Sequence, residues 1–104
     1  MYAASKDRAS RKGLDHNLTI PFIVEKLKQP CPQTGLPFRL GKTGSSYSDR
    51  DIQTPSIDKI DPSKGYTTDN VQIVCWGYNV AKQRYTDKEV LDFWKNVLDY
   101  HALS

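Results

Sequence analysis

The sequence of 104 residues contains no long apolar run, no internal repeat and no low-complexity tract. A transmembrane helix needs roughly 20 consecutive apolar residues, so we expect no membrane span. The first residues, MYAASKDRASRKG, also lack the apolar stretch of a secretory signal peptide. The length suits one small domain, and we expect that domain to act inside the cell.

Cysteine is scarce, with only Cys31 and Cys75 in the chain. Two thiolates cannot complete a tetrahedral structural zinc site, which takes four ligands. His16 and His101 could supply the other two, but neither lies at a familiar short spacing from a cysteine. A disulfide is disfavoured in the cytosol. We therefore expect both cysteines to be small buried hydrophobes that lie close together.

The net charge is also small, at +3, because 12 Asp and Glu residues nearly balance 15 Lys and Arg residues. Its distribution is uneven: residues 1–30 carry six basic and three acidic residues, and residues 85–104 carry two and four. The basic N-terminal part is the better candidate to face a phosphate backbone. The alternative is a solvated surface whose asymmetry has no function.

Helix signals dominate the first thirty residues. Residues 4–12 favour a basic helix, which Gly13 ends. A second helix is predicted to begin after Thr19, whose hydroxyl suits an N-cap, with Pro21 in its first turn. Pro30 ends this helix by residue 29.

The middle of the chain alternates turn signals with short apolar segments. Residues 31–38, CPQTGLPF, predict a knuckle between extended pieces. Residues 41–54 are polar and predict a long loop, which makes them a candidate substrate contact. Strands are predicted at 56–61 and 70–76, and a helix at 77–84.

The C-terminal part begins with a capping box, in which Thr86 precedes Glu89 by three positions. The helix that follows has one apolar face, which we predict to be part of the core. Its members are Val90, Leu91, Trp94, Val97 and Leu98.

Two polar residues in this framework could share a metal ion. Asp58 lies late on the first predicted strand, and Asn79 lies on the helix after the second. A hairpin folded against that helix would bring the two together, and their oxygens suit Mg²⁺ or Mn²⁺. The alternatives are an aspartate that caps the following turn and an asparagine that binds a loop carbonyl.

The segment PSIDKIDPSKGYTTDNVQIVCWGYNVAK, residues 55–82, resembles the HNH (ββα-metal, His-Me finger) nuclease motif of many small phage and prophage proteins. That pattern runs Asp-His-Ile, a Gly-containing loop, Asn-Leu or Asn-Val, Cys, then Asn or His and a Lys. The matching residues here are Asp58-Lys59-Ile60, Lys64-Gly65-Tyr66, Asn70-Val71, Cys75, Asn79 and Lys82. CPQTGLPF resembles the Cys-containing knuckle upstream of such sites.

The resemblance implies an α+β fold with a small ββα-metal, HNH-like core and flanking N- and C-terminal helices. It predicts one domain over residues 1–104, with the knuckle and core at 31–84, the basic helical part at 1–30 and a helix at 85–104. It also implies a phage protein that acts on DNA in the cytoplasm of a bacterial host. The oligomeric state stays open.

The resemblance also assigns roles to single residues. Asp58 and Asn79 would bind a divalent metal, Mg²⁺ or Mn²⁺ rather than zinc. Asn70 would brace the connecting loop, and Gly65 would supply a backbone angle that a β-carbon disfavours. Candidate phosphate contacts are Lys64, Lys82 and Arg84.

One position departs from the pattern, since Lys59 stands where the family has its general base, a histidine. A free lysine has a pKa near 10.4 and is protonated at neutral pH. Burial would lower that pKa, whereas Asp58 and Asp61 would favour the charged form. We therefore expect Lys59 to hold the scissile phosphate or stabilise transition-state charge. The base could be Asp61, Tyr66, His16 or a water held by the metal.

Three functions remain compatible with these residues. The first is a metal-dependent endonuclease or nickase that hydrolyses phosphodiester bonds in DNA. The second is a catalytically impaired HNH-fold protein that binds nucleic acid or protein. The third is a plain α+β interaction module without a nucleic-acid role.

Overall fold

The computed structural model describes residues 1–40 and 51–103, so residues 41–50 of the predicted polar loop lie outside the described residues. Within those two ranges the chain is α+β, with four helices and a two-stranded antiparallel sheet. Helices α1 to α4 span Tyr2–Lys12, Ile20–Leu27, Trp76–Lys82 and Asp87–Leu103, and strands β1 and β2 span Pro55–Lys59 and Val71–Cys75. None of these helices is both long and apolar enough to cross a membrane.

Local capping chemistry sets the ends of the first two helices. Gly13 closes α1 with φ 67° and ψ 28°, the left-handed conformation that glycine adopts without steric cost. The Thr19 hydroxyl accepts a hydrogen bond from the Phe22 backbone N–H at 3.2 Å and opens α2. Both predicted boundaries are confirmed, although α1 begins two residues earlier than expected.

The hairpin register decides which side chains share a face of the sheet. Ile57 pairs with Ile73, and Asp58 pairs with Gln72. Because strand side chains alternate between faces, Asp58 and Lys59 point to opposite sides. The structure thus separates two neighbouring residues of the predicted site.

Two buried clusters form the core. The larger joins α1 and α2 to the face of the hairpin that carries Ile57 and Ile73, which we call the outer face. Its buried members are Ala9, Leu18, Ile23, Ile57, Tyr66, Val71 and Ile73. The smaller contains Cys31, Val74 and Cys75, and the Cys75 backbone N–H donates to the Cys31 sulfur at 3.4 Å. The prediction of two buried neighbouring cysteines is confirmed, and both are free thiols.

Asn70 ties together the loop between β1 and β2. Its side-chain oxygen accepts from the Asp61 backbone N–H at 2.9 Å, and its amide group donates to the carbonyls of Asp61 at 3.1 Å and Gly65 at 2.8 Å. A single buried side chain therefore bonds to both halves of the loop.

Gly65 is needed for a reason other than the predicted one. It does not have a positive φ, unlike Gly13 and Gly35. A β-carbon at position 65 would instead lie 2.8 Å from the Asp15 backbone nitrogen and closer still to its carbonyl oxygen. The Tyr66 N–H donates to that same Asp15 carbonyl at 2.8 Å, so the loop lies directly against the segment after α1.

The capping box of α4 is confirmed, but the prediction of a buried apolar face is wrong. Thr86 and Glu89 exchange hydrogen bonds of 3.1 and 3.2 Å. Of the predicted stripe only Val90 is buried, whereas Leu91, Trp94 and Leu98 are 45%, 45% and 65% exposed. The reason is that little of the described chain packs against α4 after its first turns: beyond Val90 its residues are exposed, apart from the half-buried Val97.

We predict that Gly65→Ala lowers the free energy of unfolding by about 1–3 kcal/mol, because the new methyl group meets rigid backbone. Thr68→Ala, an exposed change in the same loop, is the matched control and should be nearly neutral. Urea denaturation followed by circular dichroism measures both. Equal stability of the two variants would contradict the close approach at Asp15.

Candidate active site and its buried lysine

Asp58 lies on the inner face of β1, the face opposite to that of Ile57 and Lys59, and is only 4% exposed. Its Oδ2 accepts from the Lys82 ammonium at 2.6 Å and from the Gln72 amide at 2.8 Å. Burial raises the pKa of Asp58, and the hydrogen bonds from Gln72 and Lys82 oppose that rise. The predicted alternative, an aspartate that caps the next turn, is not what the structure shows.

Lys82 at the end of α3 is fully buried, which corrects its predicted role as a phosphate contact. Its Nζ donates to Asp58 and to the Lys59 carbonyl at 2.9 Å, and it lies 3.4 Å from Asp87 Oδ1. Burying an ammonium costs several kcal/mol unless partners within the protein pair with it. Lys82 is paired in this way, so it cannot also reach a phosphate at the surface.

The buried lysine belongs to a wider polar network that the sequence interpretation missed. Asp87 in the first turn of α4 accepts from the Tyr78 hydroxyl at 2.6 Å and from the Gln72 amide at 3.1 Å. Gln33 in the knuckle donates to Gln72 at 2.9 Å. The sequence does contain one indication of this network, because Gln72 is the one polar residue in the otherwise apolar strand β2. In the structure Gln72 pairs directly with Asp58.

Asn79 lies one helical turn before Lys82, on the same side of α3. Its amide nitrogen donates to the Ser56 hydroxyl at 2.8 Å and to the Ile57 carbonyl at 3.2 Å. The side chain is therefore fixed against β1 beside Asp58. The bond to the Ile57 carbonyl resembles the alternative that we predicted for Asn79, an asparagine that binds a loop carbonyl, except that this carbonyl belongs to β1.

Asp58 and Asn79 each have a side-chain oxygen that could bind a hard divalent ion. The hydrogen bonds described use only Oδ2 of Asp58 and only Nδ2 of Asn79, which leaves one Oδ1 atom on each residue. Such an ion would share Asp58 with the Lys82 ammonium. Across residues 1–40 and 51–103, three or more His, Cys, Asp or Glu side chains do not cluster as a metal site, so any ion would depend on water ligands as well.

Lys59 points away from Asp58, towards the side of the hairpin that α1 covers. Its Nζ donates to the Pro62 carbonyl at 3.0 Å and lies 5.1 Å from the centre of the Tyr66 ring. Burial lowers the pKa of Lys59, and the nearby charges of Lys12 and Arg8 lower it further. The opposing effect of Asp58 and Asp61, which we expected to prevail, is smaller.

The alternative proton acceptors differ in their surroundings. Asp61 accepts from Ser63 N–H at 3.0 Å and Ser63 hydroxyl at 2.7 Å, and these bonds lower the pKa of Asp61. Tyr66 is buried beneath Lys59. His16 Nε2 lies 3.0 Å from the Ser5 hydroxyl, and its ring is 6.2 Å from that of Tyr66. A carboxylate with a lowered pKa is a weak base.

The two remaining predicted phosphate contacts are at the surface. Lys64 has a side chain that is 72% exposed and lies 4.0 Å from Asp61. Arg84 follows α3, is exposed, and lies 5.5 Å from the ring centre of Tyr85. Neither contacts Asp58 or Asn79 through a described hydrogen bond, but both remain accessible.

Comparison with known proteins bears on the fold. No protein-family profile and no curated protein matches the sequence. Among solved structures the chain is similar to PacI, described as a rare-cutting HNH restriction endonuclease that perturbs DNA, with a TM-score of 0.61 and 17% identity. The similarity covers 86% of this chain and 68% of PacI. The chain therefore has an HNH-like fold, a ββα core of β1, β2 and α3 with flanking helices.

We predict that Lys82→Met lowers the free energy of unfolding by about 3–5 kcal/mol, because Asp58 then keeps a buried charge without its cation. Lys95→Met is the matched control, since Lys95 pairs with Asp99 at 2.8 Å on the exposed surface of α4. That exposed pair should contribute less than about 1 kcal/mol. Equal losses in urea denaturation would show that the Asp58 pair is not a structural requirement.

Proposed function

We propose that this protein is a metal-dependent endonuclease or nickase that hydrolyses phosphodiester bonds in DNA. The observation that carries the proposal is that the Asn79 side chain bonds to Ser56 and Ile57, the two residues before Asp58 on β1. The described hydrogen bonds also leave one side-chain oxygen unused on each of Asp58 and Asn79. The HNH-like fold supports it, because the similar solved structure is that of an HNH restriction endonuclease.

The residues of the chain would divide the chemistry between the two faces of β1. Asp58 and Asn79 would hold Mg²⁺ or Mn²⁺, which when bound stabilises the departing 3′ oxygen. Lys59, on the opposite face, would hold a neighbouring phosphate of the same DNA strand as a cation. Asp61 is the proposed proton acceptor, through the Oδ2 atom that Ser63 leaves unused, and its lowered pKa makes it a weak one.

A second function has its own support in the structure. Lys82 already neutralises Asp58, and Lys59 occupies the position where the resembled family has histidine. Both features suit a catalytically impaired HNH-fold protein that binds DNA without cutting it. Such a protein would give a salt-sensitive mobility shift and no nicked product.

We predict that the purified protein nicks supercoiled plasmid in Mg²⁺ or Mn²⁺ and that chelation by EDTA abolishes the reaction. Asn79→Ala should reduce the rate by at least about tenfold, as losses around metal sites commonly do. Asn96→Ala, an exposed asparagine on α4, is the matched control and should cut like the parent. Gel separation of supercoiled, nicked and linear plasmid measures all three.

The outcomes separate the two functions. Cleavage that survives in Asn79→Ala as well as in Asn96→Ala would contradict the assigned site. Absence of cleavage in the parent, together with DNA binding, would favour the impaired binder. Absence of both would exclude both functions.

We predict that Lys59→His raises the nicking rate, since a well-placed general base contributes about 10²- to 10⁴-fold. The gain should appear as pH rises through about 6.5, where imidazole loses its proton and can accept another. Lys64→His, in the next loop, is the control and should not gain activity. An unchanged rate in Lys59→His would show that the missing base does not limit this site.

A further inference from the structure

Three cations belong to the elements that pack around Ile57 and Tyr66: Arg8 and Lys12 on α1, and Lys59 on β1. We call these three residues the basic cluster. Arg8 and Lys12 are exposed and lie four positions apart, hence on one side of their helix. Lys59 is half-buried below them, with its ammonium over the Tyr66 ring.

Packing fixes α1 in this place. Ala9 belongs to the same buried cluster as Ile57 and Tyr66, so α1 packs into the core on the side of the hairpin that carries Ile57. Buried Ser5 contacts His16, whose backbone forms a parallel bridge with Tyr66. The position of the two α1 cations relative to Lys59 is thus set by the core and not by flexible linkers.

In the described part of the chain, the charges of the basic cluster have no carboxylate partner. Within the two described ranges, none of the three lies within 4.0 Å of a carboxylate. Arg8 donates only to the Ala4 carbonyl at 3.4 Å, and Lys59 only to that of Pro62. By contrast Arg11, also on α1, pairs with Asp7 at 3.0 Å.

Like charges brought together in this way raise the energy of the free protein. Both nearby acids are engaged elsewhere, Asp58 by Lys82 and Asp61 by Ser63. An anion between α1 and β1 would relieve the repulsion, and a phosphate diester is an anion that cations of this kind bind well.

We propose that the basic cluster binds the phosphate backbone of duplex DNA and that α1 is a DNA-contacting helix. The proposal rests on the proposed function in its choice of substrate, and it deepens that function by naming a binding surface. Lys59 is the last residue of β1 and follows Asp58, so a backbone held by the cluster would pass the end of the strand that carries the candidate metal site. Contacts of this kind position the duplex without reading its sequence.

The test measures binding separately from cleavage. A fluorescent duplex is titrated with the full-length protein in EDTA by fluorescence anisotropy at several salt concentrations. We expect the double variant Arg8→Gln, Lys12→Gln to weaken binding about tenfold or more at low salt. It should also lower the slope of log affinity against log salt by about 1–2, in proportion to the phosphates no longer contacted. Arg11→Gln, a cation already paired on the same helix, should change either quantity much less.

Each outcome decides the proposal. A double variant that loses affinity and slope while Arg11→Gln does not would support it, whether or not the parent cuts plasmid. Equal effects of the double variant and Arg11→Gln, or a parent that does not bind duplex DNA, would overturn it. Binding that depends on the cluster without any nicking would leave the basic cluster standing and remove the nuclease.

Discussion

The buried ion pair of Lys82 and Asp58 is the constraint on which the ββα core depends. An ammonium has three protons to donate, and Lys82 has three oxygen partners, on Asp58, Lys59 and Asp87. Those partners come from β1 and from the start of α4, so one side chain fixes α3 against the strand and the next helix against both. Since unpaired buried charge costs several kcal/mol, alternative registers of the hairpin are disfavoured.

The same constraint arranges the site on two faces. The strand directs Asp58 towards α3, where Asn79 is tied to Ser56 and Ile57. It directs Lys59 towards α1, where the positive charges of the basic cluster accumulate without carboxylate partners in the described chain. The proposal assigns metal binding to one face and phosphate binding to the other, and two adjacent residues can serve both only because strand side chains alternate.

The helix caps and the burial of the two cysteines were predictable from the sequence, whereas the burial of Lys82 and the exposure of α4 were not. The caps at Gly13 and Thr19 and the box at Thr86 depend on residues three or four positions apart, so pattern alone located them. The burial of Lys82 depends on partners from distant segments, and a lysine on a short helix has no local mark of it. The apolar stripe of α4 gave the correct helix but not its surroundings, because periodicity shows that a face is apolar and not what covers it.

Binding of a divalent ion by Asp58 and Asn79, despite the Lys82 ammonium, is the central requirement of the proposed function. Titrating ¹⁵N-labelled protein with Mn²⁺ and following amide signals by NMR tests this directly, because the paramagnetic ion broadens nearby resonances. The account predicts selective, saturable broadening of the amides of Asp58 and Asn79 that Asn79→Ala abolishes and Asn96→Ala preserves. Broadening confined to exposed acids on α4, or identical in the two variants, would contradict it.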